Sequence, residues 1–171
     1  MKYSKAVSLS ATSCALAVIF LLLGAYIEVL DLSCLFMASL ALMMPLAKDY
    51  KLGDFLAYLA SVILSFLLTG MRLQVILPFA VFFGLHPLVN YFQERLKINK
   101  ILASVIKCAW FIGTLYIMYF ATEMFTDTNE LIKRYIHYVL IIGGAVAFFV
   151  YDYLMIRFQK YVNAIVKRLK L

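Results

Sequence analysis

Six apolar stretches fill nearly all of this 171-residue chain, and they constrain its fold more than any other feature. A transmembrane helix needs roughly 20 apolar residues to cross about 30 Å of hydrocarbon, so six helices with short connections use almost the whole length. Hydrophobic residues make up 65% of the chain and charged residues only 15%. A soluble domain is about half apolar and about a quarter charged. The sequence therefore predicts one transmembrane domain over residues 1–171, a compact all-α bundle of six transmembrane helices.

The predicted helices follow the apolar stretches, at residues 6–30, 32–47, 54–69, 74–92, 101–125 and 131–158. An amphipathic basic tail is expected at 159–171. The breaks contain charged residues, glycine or helix-capping residues, such as Thr126 and Asp127 before the sixth helix. The second and third helices are short for a full crossing, so five crossings remain the alternative.

The basic residues are distributed unevenly between the two sides that six crossings define. Twelve Lys and Arg residues fall on the side of the two termini, whereas only Arg72, Lys133 and Arg134 fall on the other side. By the positive-inside rule, both termini are expected to be cytoplasmic, in a multi-pass protein of a bacterial cell membrane. The tail is expected to lie along the anionic inner leaflet or to dock a partner. The net charge of +7 therefore does not indicate a nucleic-acid partner.

The chain carries no motif for catalysis or metal binding. It has no GxSxG, HExxH or phosphate-binding glycine loop, and it has only two histidines. Cys14, Cys34 and Cys108 lie one per apolar segment without CxxC or Cys/His spacing, which is typical of small buried apolar side chains. We therefore expect no enzyme activity, no metal and no cofactor.

Three polar residues inside the apolar segments coincide in depth. His86, Lys107 and Asp152 each lie five or six residues from the predicted cytoplasmic end of their helix, which is about 8–9 Å at 1.5 Å per residue. A lone charge at that depth costs roughly 3 kcal/mol or more, so pairing is expected. The hypothesis is a Lys107–Asp152 ion pair completed by His86 or Asn90. Its role is a structural cross-brace or, alternatively, functional coupling or a proton site. Lys107 snorkelling alone to the interface is the other alternative.

A second polar set lies near the predicted outer face. Its members are Glu28, Asp31, Arg72, Gln74, Tyr116, Tyr119, Glu123 and His137. Tyr116, Tyr119 and Glu123 are spaced i, i+3 and i+7, so they share one helix face. Together the set would line an outer pocket for a small amphipathic ligand. The alternative is an aromatic interface belt with solvated loop charges.

The first helix carries a stripe of small residues near its predicted cytoplasmic end. Ala11 and Ala15 form a small-xxx-small step, extended by Ser8 and Ala6. In membranes such stripes let another helix approach closely. The sequence therefore indicates a helix-packing surface on this segment.

A six-helix domain with a basic inner face and an alanine step in its first helix resembles the substrate-binding S component of energy-coupling-factor (ECF) importers. In that family an AxxxA motif docks onto a transmembrane coupling subunit, and Ala11 and Ala15 match it. The resemblance implies capture of a vitamin or similar micronutrient in an outward-facing pocket closed by the loops at 30–32 and 70–73. It also implies energy from two cytoplasmic ATPase subunits. The ligand signatures of the thiamine, riboflavin and biotin branches are missing.

Two other functions fit the same features. Bacterial rod-shape-determining membrane proteins have a similar length and helix count and act as scaffolds without a small-molecule ligand. A small stand-alone carrier, exchanger or lipid-handling protein is the third possibility, and in such a protein Lys107 and Asp152 would be mechanistic.

Overall fold

Six helices follow one another in the computed structural model, which describes residues 2–122 and 130–168 and has no strand in these ranges. The helices are α1 (Lys2–Tyr26), α2 (Asp31–Leu46), α3 (Lys51–Leu68), α4 (Leu73–Arg95), α5 (Lys100–Thr122) and α6 (Glu130–Tyr138, Val139–Gly143 and Gly144–Arg168). The predicted all-helical fold with six helices is thereby confirmed.

Five of the described helices are long and apolar enough to cross a membrane, namely α1, α3, α4, α5 and α6. Helix α2 has 16 residues, a length of about 24 Å, and is shorter than the hydrocarbon thickness. These lengths and compositions indicate a multi-pass membrane protein. The number of crossings and the side on which the termini lie remain predictions.

Several helix ends differ from the sequence prediction: α1 begins at Lys2 rather than residue 6, α3 begins at Lys51 rather than residue 54, and α4 ends at Arg95 rather than residue 92. Two further ends differ for reasons that the sequence and structure show. Helix α1 ends at Tyr26 instead of residue 30, because Glu28–Leu30 forms a single 3₁₀ turn that leads directly into α2. Helix α6 continues through most of the predicted tail to Arg168. Residues 159–168 contain neither glycine nor proline, so nothing in the sequence stops the helix there.

Helix α2 lies in the middle of the bundle and packs against α1, α3, α4 and α6. The small residues of α2 allow the neighbouring helices to approach closely, and two serine hydroxyls make hydrogen bonds between helices there. Ser13 Oγ of α1 donates to the carbonyl of Ala41 at 2.6 Å, and Ser39 Oγ of α2 donates to the carbonyl of Phe83 at 2.5 Å. Such interhelical bonds are a usual source of affinity between helices in lipid.

Helix α4 contains a π-helical turn at Phe79–Phe83 between Pro78 and Pro87. The π turn departs from the regular hydrogen-bond pattern of an α-helix. Hydroxyl groups of neighbouring helices donate hydrogen bonds to two of its backbone carbonyls. Tyr58 of α3 donates its hydroxyl to the carbonyl of Ala80 at 2.6 Å, while Ser39 bonds to Phe83. The π turn is thereby held on both sides, by α2 and by α3.

Aromatic rings around Phe82 fill the core where α4, α5 and α6 meet. The Phe82 centroid lies 4.8 Å from those of Trp110 and Phe111 and 5.7 Å from that of Tyr151, in edge or tilted arrangements. Edge-to-face pairs of this kind contribute beyond the area they bury. This aromatic core lies directly beside the polar residues described next.

Candidate functional site

The structure brings His86, Lys107 and Asp152 together where α4, α5 and α6 meet. Lys107 Nζ donates hydrogen bonds to Asp152 Oδ1 at 2.7 Å and to Asn90 Oδ1 at 2.8 Å. Asn90 Nδ2 lies 3.4 Å from His86 Nδ1. His86 Nε2 lies 3.1 Å from Asp152 Oδ1, an ion-pair distance without hydrogen-bond alignment. These four residues are named the polar brace below.

Helix spacing explains how the polar brace assembles. His86 and Asn90 are four residues apart at the start of the last segment of α4, so they share one helix face. Lys107 and Asp152 each come from a different helix and meet that face. The four residues therefore link three helices that are distant in sequence.

All four side chains of the polar brace are buried. The His86 ring is enclosed by aromatic neighbours, with its centroid 5.1 Å from that of Phe82 and 4.9 Å from that of Tyr151. An unpaired charge in such surroundings is costly, but Lys107 and Asp152 compensate each other. With a neutral imidazole the polar brace carries no net charge. Its chemistry is that of a neutral cross-link between helices, and a functional role in coupling stays a prediction.

Among the predicted outer-pocket residues, the structure brings Tyr116 and His137 together. Their rings stack with centroids 5.9 Å apart and planes at 19°, and Tyr116 Oη lies 3.3 Å from His137 Nδ1. The Phe120 ring also stacks with that of Tyr116, with centroids 6.4 Å apart. Tyr119 lies on the same helix with its centroid 5.1 Å from that of Phe120. An aromatic surface with one imidazole therefore exists where α5 meets α6.

The loop members of the outer set do not join this aromatic surface. Arg72 and Gln74 are exposed at the turn between α3 and α4, and Asp31 is partly buried at the start of α2. Within the described residues, no hydrogen bond or ion pair connects these three side chains to Tyr116 or His137. Asp31 instead lies against α1, where a Cβ on Gly24 would be 3.3 Å from its Oδ1.

Two members of the outer set fall outside what the structure describes. Glu123 lies outside the described residues, and so does the side chain of Glu28, whose backbone begins the 3₁₀ turn. Of the predicted outer-pocket residues that the structure describes, Tyr116 and His137 therefore come together, and the loop side chains lie apart from them.

The small-residue stripe of α1 lies on the surface of the bundle. Ala11, Ala15 and Ser8 are exposed, whereas Ala6, which was also predicted to extend the stripe, is half-buried. Ser4 is exposed on the same face and is included in the stripe below. The opposite face packs inward, with Leu9, Ser13, Ala17 and Leu21 buried against the neighbouring helices. The described chain therefore leaves the stripe free for contact with lipid or with another protein.

Asp54 was not identified as a buried polar residue from the sequence, which places it at the boundary between a charged break and the third predicted helix, 54–69. The structure buries it completely inside the first turn of α3. A signal was available, because Asp54 shares a helix face with Ala57, Ser61 and Ser65, and small or hydroxyl side chains at that spacing mark a close helix contact. All four residues are buried in the structure.

A charged cluster at the turn between α2 and α3 was also not predicted. Asp49 has a positive φ of 69°, accepts a hydrogen bond from the Tyr91 hydroxyl, and pairs with Arg95. The Tyr91 hydrogen bond lowers the pKa of the Asp49 carboxyl, as do the charges of Arg95 and Lys51. The Lys51 ammonium in turn lies 5.6 Å from the Tyr91 ring centroid. The cluster ties the turn to the end of α4.

Comparison with known proteins adds no assignment to this geometry. No protein-family model matches the chain, and no significant similarity to a curated protein or to a solved structure was found. The function proposed below therefore depends on the residues of this chain and on the resemblance described above.

Proposed function

We propose that the chain is the substrate-capture subunit of an ECF-type importer for a vitamin or similar micronutrient. It resides in a bacterial cell membrane with both termini in the cytoplasm, and partner ATPases supply the energy through a transmembrane coupling subunit. The observation that supports this proposal most is the exposed stripe of Ser4, Ser8, Ala11 and Ala15 on α1.

The stripe differs in composition from most of the exposed surface of the bundle. Most exposed positions of α5 and α6 carry large side chains, for example Ile106 and Val146, although the pairs Ala109/Gly113 and Gly143/Ala147 are exposed there as well. The exposed face of α1 also becomes large and apolar in its second half, where Ile19 and Leu23 lie. Small side chains at a lipid-facing position give up packing with lipid, but they allow a second helix to approach closely. The first half of α1 is therefore suited to docking another membrane helix.

The Tyr116–His137 pair supports the part of the proposal that concerns binding of a small molecule. Stacked rings with an imidazole nitrogen and a phenol hydroxyl suit a small ring-containing molecule that has both apolar and polar edges.

Tryptophan substitutions on the stripe test whether α1 docks onto a coupling subunit. Purification of the tagged chain from its native membranes is expected to recover the coupling and ATPase subunits. In the Ala11→Trp, Ala15→Trp double variant, recovery should fall about tenfold or more, because a loss of about 1.4 kcal/mol from the helix contact is enough for that change.

Val146→Trp on α6 is the matched control, since it places the same indole at an exposed position away from the stripe. It should leave recovery unchanged. Equal recovery of partners by the double variant and by the control would show that α1 is not the docking helix. Recovery of partners without any small molecule would instead favour the scaffold function.

A further inference from the structure

Asp54 is completely buried, and neither of its carboxylate oxygens has a hydrogen-bond partner among the residues that the structure describes. Within the described residues, no Lys, Arg or His nitrogen lies within ion-pair distance of it. The nearest cation in sequence is Lys51, one helical turn away, and its ammonium lies over the rings of Tyr91 and Phe92 at 5.6 and 5.5 Å. Asp54 therefore has no counter-charge.

A second unpartnered polar atom lies at the same contact. Helix α1 approaches α3 so closely at Gly53 that a Cβ on this glycine would be 2.3 Å from Ser10 Oγ. Ser10 Oγ is itself buried and makes no hydrogen bond. Gly53 is the residue directly before Asp54, so the unpartnered Ser10 hydroxyl lies against the same turn of α3 that carries the unpartnered carboxyl group.

An ionised carboxylate is not stable in these surroundings. The first turn of α3 contributes a favourable helix dipole, but the dipole provides neither a hydrogen bond nor a neutralising charge. Burial without partners disfavours the charged form of an acid, whereas the neutral acid has an O–H that needs only an acceptor. An ionisable group buried in a membrane domain with no partner is also the kind of residue that marks a proton or ion pathway.

We propose that Asp54 is a proton-binding site and that its carboxyl group is protonated in the closed bundle. Release of the proton leaves a carboxylate, which requires water or a counter-ion. The proton can therefore leave only when the helices packed around Asp54 separate enough to hydrate it, and α1, which lies against the preceding residue Gly53, is one of these helices. Because α1 also carries the exposed small-residue stripe, movement of α1 links the protonation of Asp54 to the contacts that the stripe makes. Asp54 holds the proton whether or not the chain carries a substrate.

Infrared spectroscopy of the purified full chain in lipid bilayers tests this site. The difference spectrum between wild type and Asp54→Asn at neutral pH should contain the C=O stretch of a protonated carboxyl that is lost in the variant. Asp49→Asn is the matched control, because Asp49 is exposed and paired with Arg95, and it should lose only carboxylate bands. Absence of a protonated-carboxyl band from the Asp54→Asn difference spectrum would overturn the proposal.

Labelling with a hydrophobic carbodiimide gives a second measurement that needs no variant. Carbodiimides react with protonated carboxyl groups, so peptide mapping of the wild-type chain should find Asp54 modified and Asp152, which is paired with Lys107, unmodified. Modification of Asp152 without modification of Asp54 would contradict the proposal. A metal cation in place of the proton would also contradict it, and would be recognised if Na⁺ raises the melting temperature of wild type but not of Asp54→Asn.

Discussion

Asp54 and Asp152 are both buried aspartates, but the energetic cost of burying the carboxyl group is offset differently at the two positions. Asp152 accepts a hydrogen bond from the Lys107 ammonium at 2.7 Å and lies 3.1 Å from His86. Asp54 has no such partner. A buried ion pair is tolerated because each charge replaces part of the water that the other has lost. The same residue type is thus expected to be ionised in the polar brace and neutral at the α1–α3 contact.

The polar brace leads to a prediction about charge compensation. Asp152→Asn removes the anion and leaves the Lys107 ammonium buried with only Asn90, so it should destabilise the protein by about 3–5 kcal/mol. The double variant Lys107→Met, Asp152→Leu removes both charges and should recover most of that loss, since apolar pairs of similar volume replace buried ion pairs well. Thermal unfolding in detergent measures both effects. An Asp152→Asn variant that melts at the wild-type temperature would rule out a stabilising ion pair.

At the scale of single residues, the sequence predicted that Lys107 and Asp152 would pair, but it did not predict the burial of Asp54. Charges in the middle of long apolar segments are conspicuous, and helix rise converts their positions into depth. Asp54 lies three residues after Lys51, next to a charged break, where a solvated side chain is the usual expectation. Its burial results from the tertiary packing of α3 against its neighbouring helices, which the sequence pattern around the break does not reveal.

Among the helices, α4 is the element whose shape depends most on its neighbours. Two backbone carbonyls of its π turn accept hydrogen bonds from the hydroxyls of Tyr58 and Ser39. Gly84 makes the first of these contacts possible, because a Cβ at this position would lie 2.6 and 2.7 Å from two carbons of the Tyr58 ring. The glycine is therefore required for the close approach of α3 rather than for its backbone conformation, which is ordinary helical.

Gly84→Ala should consequently destabilise the protein by about 1–3 kcal/mol, the usual cost of overpacking a core. Gly113→Ala in α5 is the matched control, because nothing lies within 4 Å of its added Cβ. Alanine is the better helix former, so the control should be neutral or up to about 1 kcal/mol more stable. Thermal unfolding of the two variants side by side checks the contrast. Equal melting temperatures would mean that Tyr58 moves aside without loss.

Helix existence was predictable from the sequence, but helix ends and interruptions were not. Apolar stretches of sufficient length identify membrane helices because lipid leaves few other backbone structures possible. The π turn at Phe79–Phe83 has no comparable signal, since it depends on carbonyl partners supplied by α2 and α3. The extension of α6 to Arg168 was missed because the change to basic residues indicated a separate surface segment.

For the whole molecule, two surface regions correspond to the sites predicted from the sequence. The first half of α1 presents mainly small side chains together with the exposed Val7, and the contact of α5 with α6 presents the Tyr116–His137 pair. The sequence predicted the stripe and its helix, because a four-residue spacing fixes a helix face. It did not predict which outer residues meet, because loop conformations decide whether Arg72 and Gln74 approach the aromatic pair.

The central claim is that this chain works as the membrane-embedded binding subunit of a larger importer. The most direct measurement is the composition of the tagged wild-type chain purified from its native membranes, with subunits and bound small molecules identified by mass spectrometry. The account predicts one coupling subunit, ATPase subunits and a co-purifying small molecule. Recovery of the folded chain alone, with neither partner subunits nor a small molecule, would contradict it.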